Sequence, residues 1–322
     1  MTLKKIINPI LFQGNLKKKH YFEGWYYKQI SRNERNVISF IPGISLFDDD
    51  PHSFVQYIFV SFDKNNNKTI KTGYVKYPLE AFKFRDNPFR VSVGENVFSE
   101  SEVSVKLADN KVDIQGVIKL ARFTPIKKSI ITPNIMGIFA YIPKMECYHG
   151  IISMNHRIDG MLKINGEEID FNMGKGYAEK DWGTSFPKKY IWMQCNTFKN
   201  KNTSVFASVA NIPFIKKSFR GYICNLLVDG KEYRFATYNR SKMKIESIDN
   251  NVTLVLEDGH VRLKIEAILK QSGELIAPQK GKMGIKIKEE LSGRVKIHLY
   301  NKQNQLIYED VGDVSGIEIV GF

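Results

Sequence analysis

Apolar and polar residues alternate along most of this chain with a period of two, in short runs broken by turn residues. Val37 to Ile41, Phe54 to Phe62 and Thr72 to Tyr77 read as strands, the last two joined at Asn65-Asn66-Asn67. Val103 to Leu107 and Val112 to Leu120 flank Ala108-Asp109-Asn110. Gly160 to Ile164 turns at Asn165-Gly166 into Glu168 to Phe171, Tyr222 to Val228 turns at Asp229-Gly230 into Tyr233 to Thr237, and Thr253 to Glu257 turns at Asp258-Gly259 into Val261 to Leu269. Asn-Gly and Asp-Gly between alternating runs are strong hairpin signals, because both residues tolerate positive φ. Arg294 to Tyr300 and Leu306 to Val311 form another pair, and Gly316 to Val320 is the last strand. No segment of ten or more residues keeps a period of 3.6. The pattern predicts an all-β chain of about 18 to 22 strands, too many for one barrel of roughly 8 strands around a ligand. Two antiparallel β-barrels in tandem are expected, divided at Met173-Gly174-Lys175-Gly176 into residues 1–174 and 175–322.

The most informative stretch is Tyr177 to Phe198. Glu179, Lys180 and Asp181 run into Trp182-Gly183 and a turn, and a strand follows. On that strand Tyr190, Trp192, Gln194 and Asn196 share one face, and Ile191, Met193, Cys195 and Thr197 the other. A face carrying Trp, Gln and Asn in register suggests the wall of an apolar pocket with a few fixed polar groups. A weak echo, Glu23-Gly24-Trp25 against Glu179 to Gly183, is compatible with two similar halves presenting matching edges to one site.

Composition narrows the classes. Of 322 residues 43% are hydrophobic, enough for a sizeable core, and no run of 18 apolar residues predicts a spanning helix. The N-terminal residues lack the apolar core of a signal peptide, so a cytoplasmic protein is the default expectation. Cys147, Cys195 and Cys224 form no CxxC pair, which argues for buried apolar fillers over disulfides or zinc. The net charge of +14 comes mainly from scattered lysines, so nucleic acid is not an expected partner. Short clusters at Lys17-Lys18-Lys19, Lys127-Lys128 and Lys216-Lys217 point to weak attraction to a membrane surface carrying a lipid.

Three carboxylates carry the candidate chemistry. Glu23, Glu179 and Asp181 each sit beside large aromatics, and burial against an aromatic wall favours the protonated form that a general acid needs. The plain alternative for each is a salt bridge or a turn cap. Trp25, Tyr27, Trp182 and Trp192 are either core fillers or ring faces around a developing carbocation. Gln194 and Asn196 need amide partners, which a ligand oxygen or a neighbouring strand would supply. His149 and His156, seven residues apart, fall on opposite faces of a regular strand, so no shared metal is expected. His149 beside Tyr148 is a structural residue or a proton donor and orienter. No GxSxG or phosphate-binding loop is present.

Three blocks of residues are similar to one family. Tyr21 to Lys28 looks like its N-terminal signature. Glu179 to Gly183, Phe186-Pro187 and Trp192 to Asn196 look like its central block, and Ala277-Pro278 with Gly316 to Gly321 like its C-terminal one. The chain resembles the tocopherol cyclase family, within the wider two-barrel group that includes carotenoid hydratase-like proteins. The resemblance implies two lipocalin-like barrels and a cofactor-free reaction. In it an acid protonates an isoprenoid double bond, and a phenol oxygen or water captures the cation. Taken with the residues above, Glu179 or Asp181 is expected as the proton donor with Glu23 as a rival, and Trp25, Tyr27, His149, Trp182, Trp192, Gln194 and Asn196 as ligand contacts. The family commonly has Asn where this chain has Asp181. An enzyme acting on a prenyl quinol or isoprenoid in an apolar barrel cavity is the first expectation, and a non-catalytic carrier of an apolar lipid is the alternative.

Overall fold

The computed structural model of the chain describes residues 2–214, 217–248 and 251–322; Lys216, one half of an expected basic cluster, lies outside the described residues. Among the described residues twenty-two strands form two antiparallel sheets. The first contains β1 (Tyr21–Ile30), β2 (Asn36–Phe47), β3 (Asp50–Phe62), β4 (Lys68–Pro78), β5 (Phe82–Asp86), β6 (Phe89–Val93), β7 (Asn96–Ser99), β8 (Glu102–Ala108), β9 (Asp113–Leu120), β10 (Cys147–Ile164), β11 (Glu167–Asp170) and β12 (Gly174–Gly183). The second contains β13 (Tyr190–Cys195), β14 (Thr203–Phe214), β15 (Lys217–Val228), β16 (Lys231–Ala236), β17 (Lys242–Ile248), β18 (Asn251–Glu257), β19 (Val261–Ile268), β20 (Gly273–Gln279), β21 (Lys282–Asn301) and β22 (Leu306–Val320). Among the described residues the α-helical content is one short helix, α1 (Leu3–Ile7), and no helix is long and apolar enough to cross a membrane. The all-β, lipocalin-like expectation holds. The hairpin signals hold too: Asn165 and Gly166 have φ of 52° and 86°, Asp229 and Gly230 of 46° and 79°, the positive values a two-residue turn requires.

The described residues fall into two compact units, 1–186 with 274–287, and 187–273 with 288–322. Residues 274–287 belong with the first because the Gln56 amide bonds both backbone groups of Ile276, at 2.6 and 3.3 Å, and Ser45 Oγ donates to Gly281 O. The expected division at 174/175 falls inside the first sheet, just where β12 begins. That strand is hydrogen-bonded between β1 and β10, so a cut there would open the sheet.

The first sheet curls until distant strands meet across its interior, as a twisted sheet of this size must. Tyr27 Oη on β1 donates to Ser99 O at the end of β7, Asn96 Nδ2 on β7 donates to Tyr77 Oη on β4, and Tyr57 Oη on β3 donates to Asp109. Trp25, Tyr27, Phe40, Phe98 and Phe171 fill the enclosed core. In the second unit Ile191, Met193 and Cys195 of β13 point into a core with Phe235, Leu254, Ile265, Val295 and Ile317.

The N-terminal segment enters the first core and is held by charge. Glu23 and Lys180, each with 0% side-chain exposure, form an ion pair on the inner face of β1 and β12. Glu23 accepts from Gln13 N at 2.7 Å, Gly14 N at 2.9 Å and Tyr21 Oη at 2.5 Å. Lys180 Nζ donates to Leu11 O and lies over the rings of Trp25 and Trp182, while Trp25 Nε1 donates to Ile10 O. Burial lowers the Lys180 pKa to about 8 against the pull of Glu23. Glu23→Gln strands a buried ammonium, so we expect a loss of about 3–5 kcal/mol in urea unfolding and cleavage of the N-terminal segment by protease. The double variant Glu23→Gln/Lys180→Met should recover most of it.

Candidate active site

Strand β12 carries chemistry on both faces because successive side chains alternate. Register with β1 pairs Glu23 with Trp182, Trp25 with Lys180 and Tyr27 with Ala178 on the inner face. The outer face pairs Gly24 with Asp181, Tyr26 with Glu179 and Lys28 with Tyr177. Glu23, Trp25, Tyr27 and Trp182 therefore do not share a face with Glu179 and Asp181. The anticipated cluster of three acids is two groups separated by the thickness of a strand. The echo between Glu23-Gly24-Trp25 and Glu179 to Gly183 is likewise not a relation between two halves: the segments are hydrogen-bonded neighbours in one sheet. The inner aromatics act as core. Trp25 and Tyr27 are fully buried with their polar ends on backbone carbonyls, and Trp182 stacks on Tyr148 at 5.5 Å and 5°.

The outer face gathers His149, Glu179 and Asp181. In β10 the residue opposite Asp181 is His149, and Ile151 lies opposite Glu179. The imidazole bridges both acids: Nδ1 lies 2.9 Å from Asp181 Oδ1 and Nε2 3.5 Å from Glu179 Oε2. Glu179 also accepts from Tyr177 Oη, which is buried and packs edge-on against Tyr26. Cys147 Sγ is 3.9 Å from Asp181 Oδ1. His156, as expected, falls on the other side of β10, at the position paired with Gly176.

Electrostatics here favour protons held on the bases. Burial alone would push the His149 ring down, but Asp181 and then Glu179 outweigh it and hold its pKa at about 10. Burial followed by Glu179 raises Tyr177 well above the usual phenol range, and burial followed by Asp181 does the same for the Cys147 thiol. At neutral pH the site is an imidazolium between two acids, with a neutral phenol on Glu179. By contrast, burial drives the isolated His156 down to about 3.

His149, Glu179 and Asp181 are also the residues best placed to hold a metal ion, with ligand atoms within 4.8 Å of one another. The spacing of His149 and His156 gave no hint of that trio. Its ring nitrogens face one carboxylate each, and Asp181 sits at hydrogen-bond distance from Nδ1. Asp181 on Nδ1 orients the ring and leaves Nε2 and Glu179 facing one another, a geometry that serves a shared proton and also a metal ligand with a carboxylate behind it.

Trp192, Gln194 and Asn196 belong to the second unit. The alternation read from the sequence holds: Tyr190, Trp192 and Gln194 face away from the core that takes Ile191, Met193 and Cys195. Gln194 Nε2 donates to Asn196 Oδ1 at 3.2 Å. The Trp192 ring lies against Gly316 of β22, where an added Cβ would sit 2.7 Å from it and force the ring to shift. Two acids missed by the sequence reading join this face. Glu318, opposite Trp192 and Glu289, accepts from Tyr190 Oη at 2.6 Å, and Glu289 is fully buried. Period-two spacing from Gly316 could have found Glu318; the run around Glu289 carried no comparable signal. Tyr177 could have been found the same way, two residues before Glu179.

A raised folded pKa gives stability that is complete below the unfolded value near 6.5 and is lost as pH climbs toward about 10. We therefore expect thermal stability to fall between those values more steeply in the native chain than in His149→Gln. Equal slopes would remove the assignment of a charged His149.

The sequence model described as tocopherol cyclase-like matches residues 113–321, more than half of the chain and including His149, Glu179 and Asp181. A probable chloroplastic tocopherol cyclase from Oryza sativa subsp. japonica is 23% identical over 198 residues, 58% of this chain and 42% of that protein. The chain spans less than half the length of the curated relatives it matches. Among solved structures, a putative AttH from Nitrosomonas europaea has a TM-score of 0.51 at 13% identity, covering 92% of each chain. Kievitone hydratase from Nectria haematococca has a TM-score of 0.52 at 10% identity, covering 93% of this chain and 88% of that one. These structures share the fold, and by the sequence match the chain belongs to the tocopherol cyclase-like family.

Proposed function

We propose that this protein adds an O–H group across a carbon–carbon double bond of an apolar, isoprenoid-type substrate, by ring closure or by hydration. The observation that carries the reading is the buried His149 bridging Glu179 and Asp181, with Tyr177 behind Glu179. Cyclase and hydratase both stand among the names of similar proteins, and one addition covers both.

The His149 imidazolium passes its proton across the 3.5 Å contact to Glu179, which delivers it to the alkene carbon. The imidazole left behind stays oriented by Asp181, and the Tyr177 hydroxyl on Glu179 is in place before the reaction and needs no reorganisation. The cation at the neighbouring carbon is captured by a phenol or water oxygen, whose proton passes to a carboxylate. One proton enters carbon and one leaves oxygen, so the site is restored without a cofactor. Asp181 orients His149 and supplies negative charge near the cation.

The expected substrate location changes with the geometry. The acids lie on the outer face of the first sheet, whereas an apolar barrel cavity would be reached from the inner face that Trp25 and Tyr27 fill. A binding protein without chemistry is the second reading. An imidazolium held at about 10 gives up its proton reluctantly, and that observation favours it.

Incubation with a prenylated hydroquinone in D2O separates the two. Catalysis predicts a chromanol with deuterium on the former alkene carbon, and a drop of about 100-fold or more in Glu179→Gln. Asp181→Asn should lose less, since the amide still orients the ring. Prenyl quinol recovered bound but unchanged supports the carrier, and full turnover by both variants rules out this acid site.

A further inference from the structure

Two segments far apart in sequence form one surface in the first unit. Residues 2–22 and 114–145 contain no aspartate or glutamate, in a chain that has 34 of them, and together carry ten lysines and arginines. They are pinned to each other: Lys128 Nζ donates to Ile7 O at 2.7 Å and Asn134 Nδ2 to Ile6 O at 2.8 Å. Beneath them Ile6, Ile135 and Met136 are buried, so the connection between β9 and β10 is anchored.

Above that anchor the surface is apolar. Ile130 is 89% and Ile131 69% exposed, and Leu3, Ile7, Ile138 and Tyr141 are exposed nearby in sequence. The Tyr141 hydroxyl donates to Ile130 O at 2.7 Å, which fixes the tip that presents the two isoleucines. Single exposed apolar residues are ordinary. Several on pinned segments that carry no acid of their own, with Lys4 and Lys127 beside them, suit a partner that is both oily and negative. Lys19, farther along, is offset by Asp48 at 3.6 Å.

We infer that this surface docks the protein on an anionic lipid bilayer, with Ile130 and Ile131 entering the acyl boundary and the lysines at the headgroups. Neither signal suffices alone. An isoleucine entering the acyl boundary and a lysine near an anionic leaflet each contribute modestly, and stable anchoring takes two signals together. A folded protein partner would require a groove and matched hydrogen bonds, whereas a bilayer accepts a convex tip. The inference is independent of the proposed reaction and needs no turnover to test.

The test is co-sedimentation with vesicles of phosphatidylcholine alone and of phosphatidylcholine mixed with phosphatidylglycerol. The native chain should bind the mixed vesicles, more weakly as salt rises, and leave the neutral ones in solution. Ile130→Asp/Ile131→Asp should lower partitioning about tenfold or more, and Lys127→Glu several-fold. These side chains are exposed, so an unchanged melting temperature should confirm intact folding. Equal binding by the aspartate variant, or no binding of the native chain to either vesicle, overturns the proposal. So would self-association of the native chain that the aspartate pair abolishes without any lipid binding.

Discussion

Strand β12 sets charge against burial on both of its faces, and much of the first unit is arranged to satisfy it. Lys180 points inward with no exposure, between Glu23, a backbone carbonyl and two indole rings. Glu179 and Asp181 point outward on either side of it and share His149. A buried charge without a partner costs several kcal/mol, so each of these groups dictates its neighbours. Glu23 requires two backbone N–H groups, and these bring the segment around Gln13 into the core. His149 requires a carboxylate at each nitrogen, which fixes the register of β10 on β12.

The same alternation divides labour. One face of β12 packs into the core and the other carries the cluster of His149, Glu179 and Asp181, and the strand lies in the middle of the sheet, where both neighbours hold it. A side chain on such a strand is positioned more rigidly than one on a loop, which the proposed proton transfer would require. In the second unit β13 follows the same plan: its aliphatic face builds the core, and its outward face carries Tyr190, Trp192 and Gln194 beside Glu318.

Local patterns were legible in the sequence where they are fixed by neighbours in the chain. Hairpins at Asn165-Gly166 and Asp229-Gly230 and the two faces of β13 could be read, since turn φ and period-two alternation are local properties. The family resemblance itself is borne out by the tocopherol cyclase-like match over residues 113–321. Facing across strands was not legible. Glu23 and Glu179 look alike in sequence, each an acid near Trp, yet the odd positions of β1 point inward and those of β12 outward. Only the antiparallel register decides that. The same applies to the stretch from Tyr177 to Phe198, which reads as one unit but contributes Tyr177, Glu179 and Asp181 to the first sheet and Trp192 and Gln194 to the second. The boundary at 174/175 failed for the same reason: Gly174 opens a central strand, and nothing local distinguishes such a glycine from one in a linker.

The central claim is that His149 is a charged ring clamped between Glu179 and Asp181. Its titration by NMR, following the imidazole Cε1–H and ring nitrogen resonances assigned by comparison with His149→Gln, tests that claim most directly. The account predicts a doubly protonated His149 through neutral pH, with a midpoint near 10, while His156 stays neutral down to about 3. A His149 ring that is neutral at pH 7, titrating at or below the ordinary value near 6.5, would contradict it.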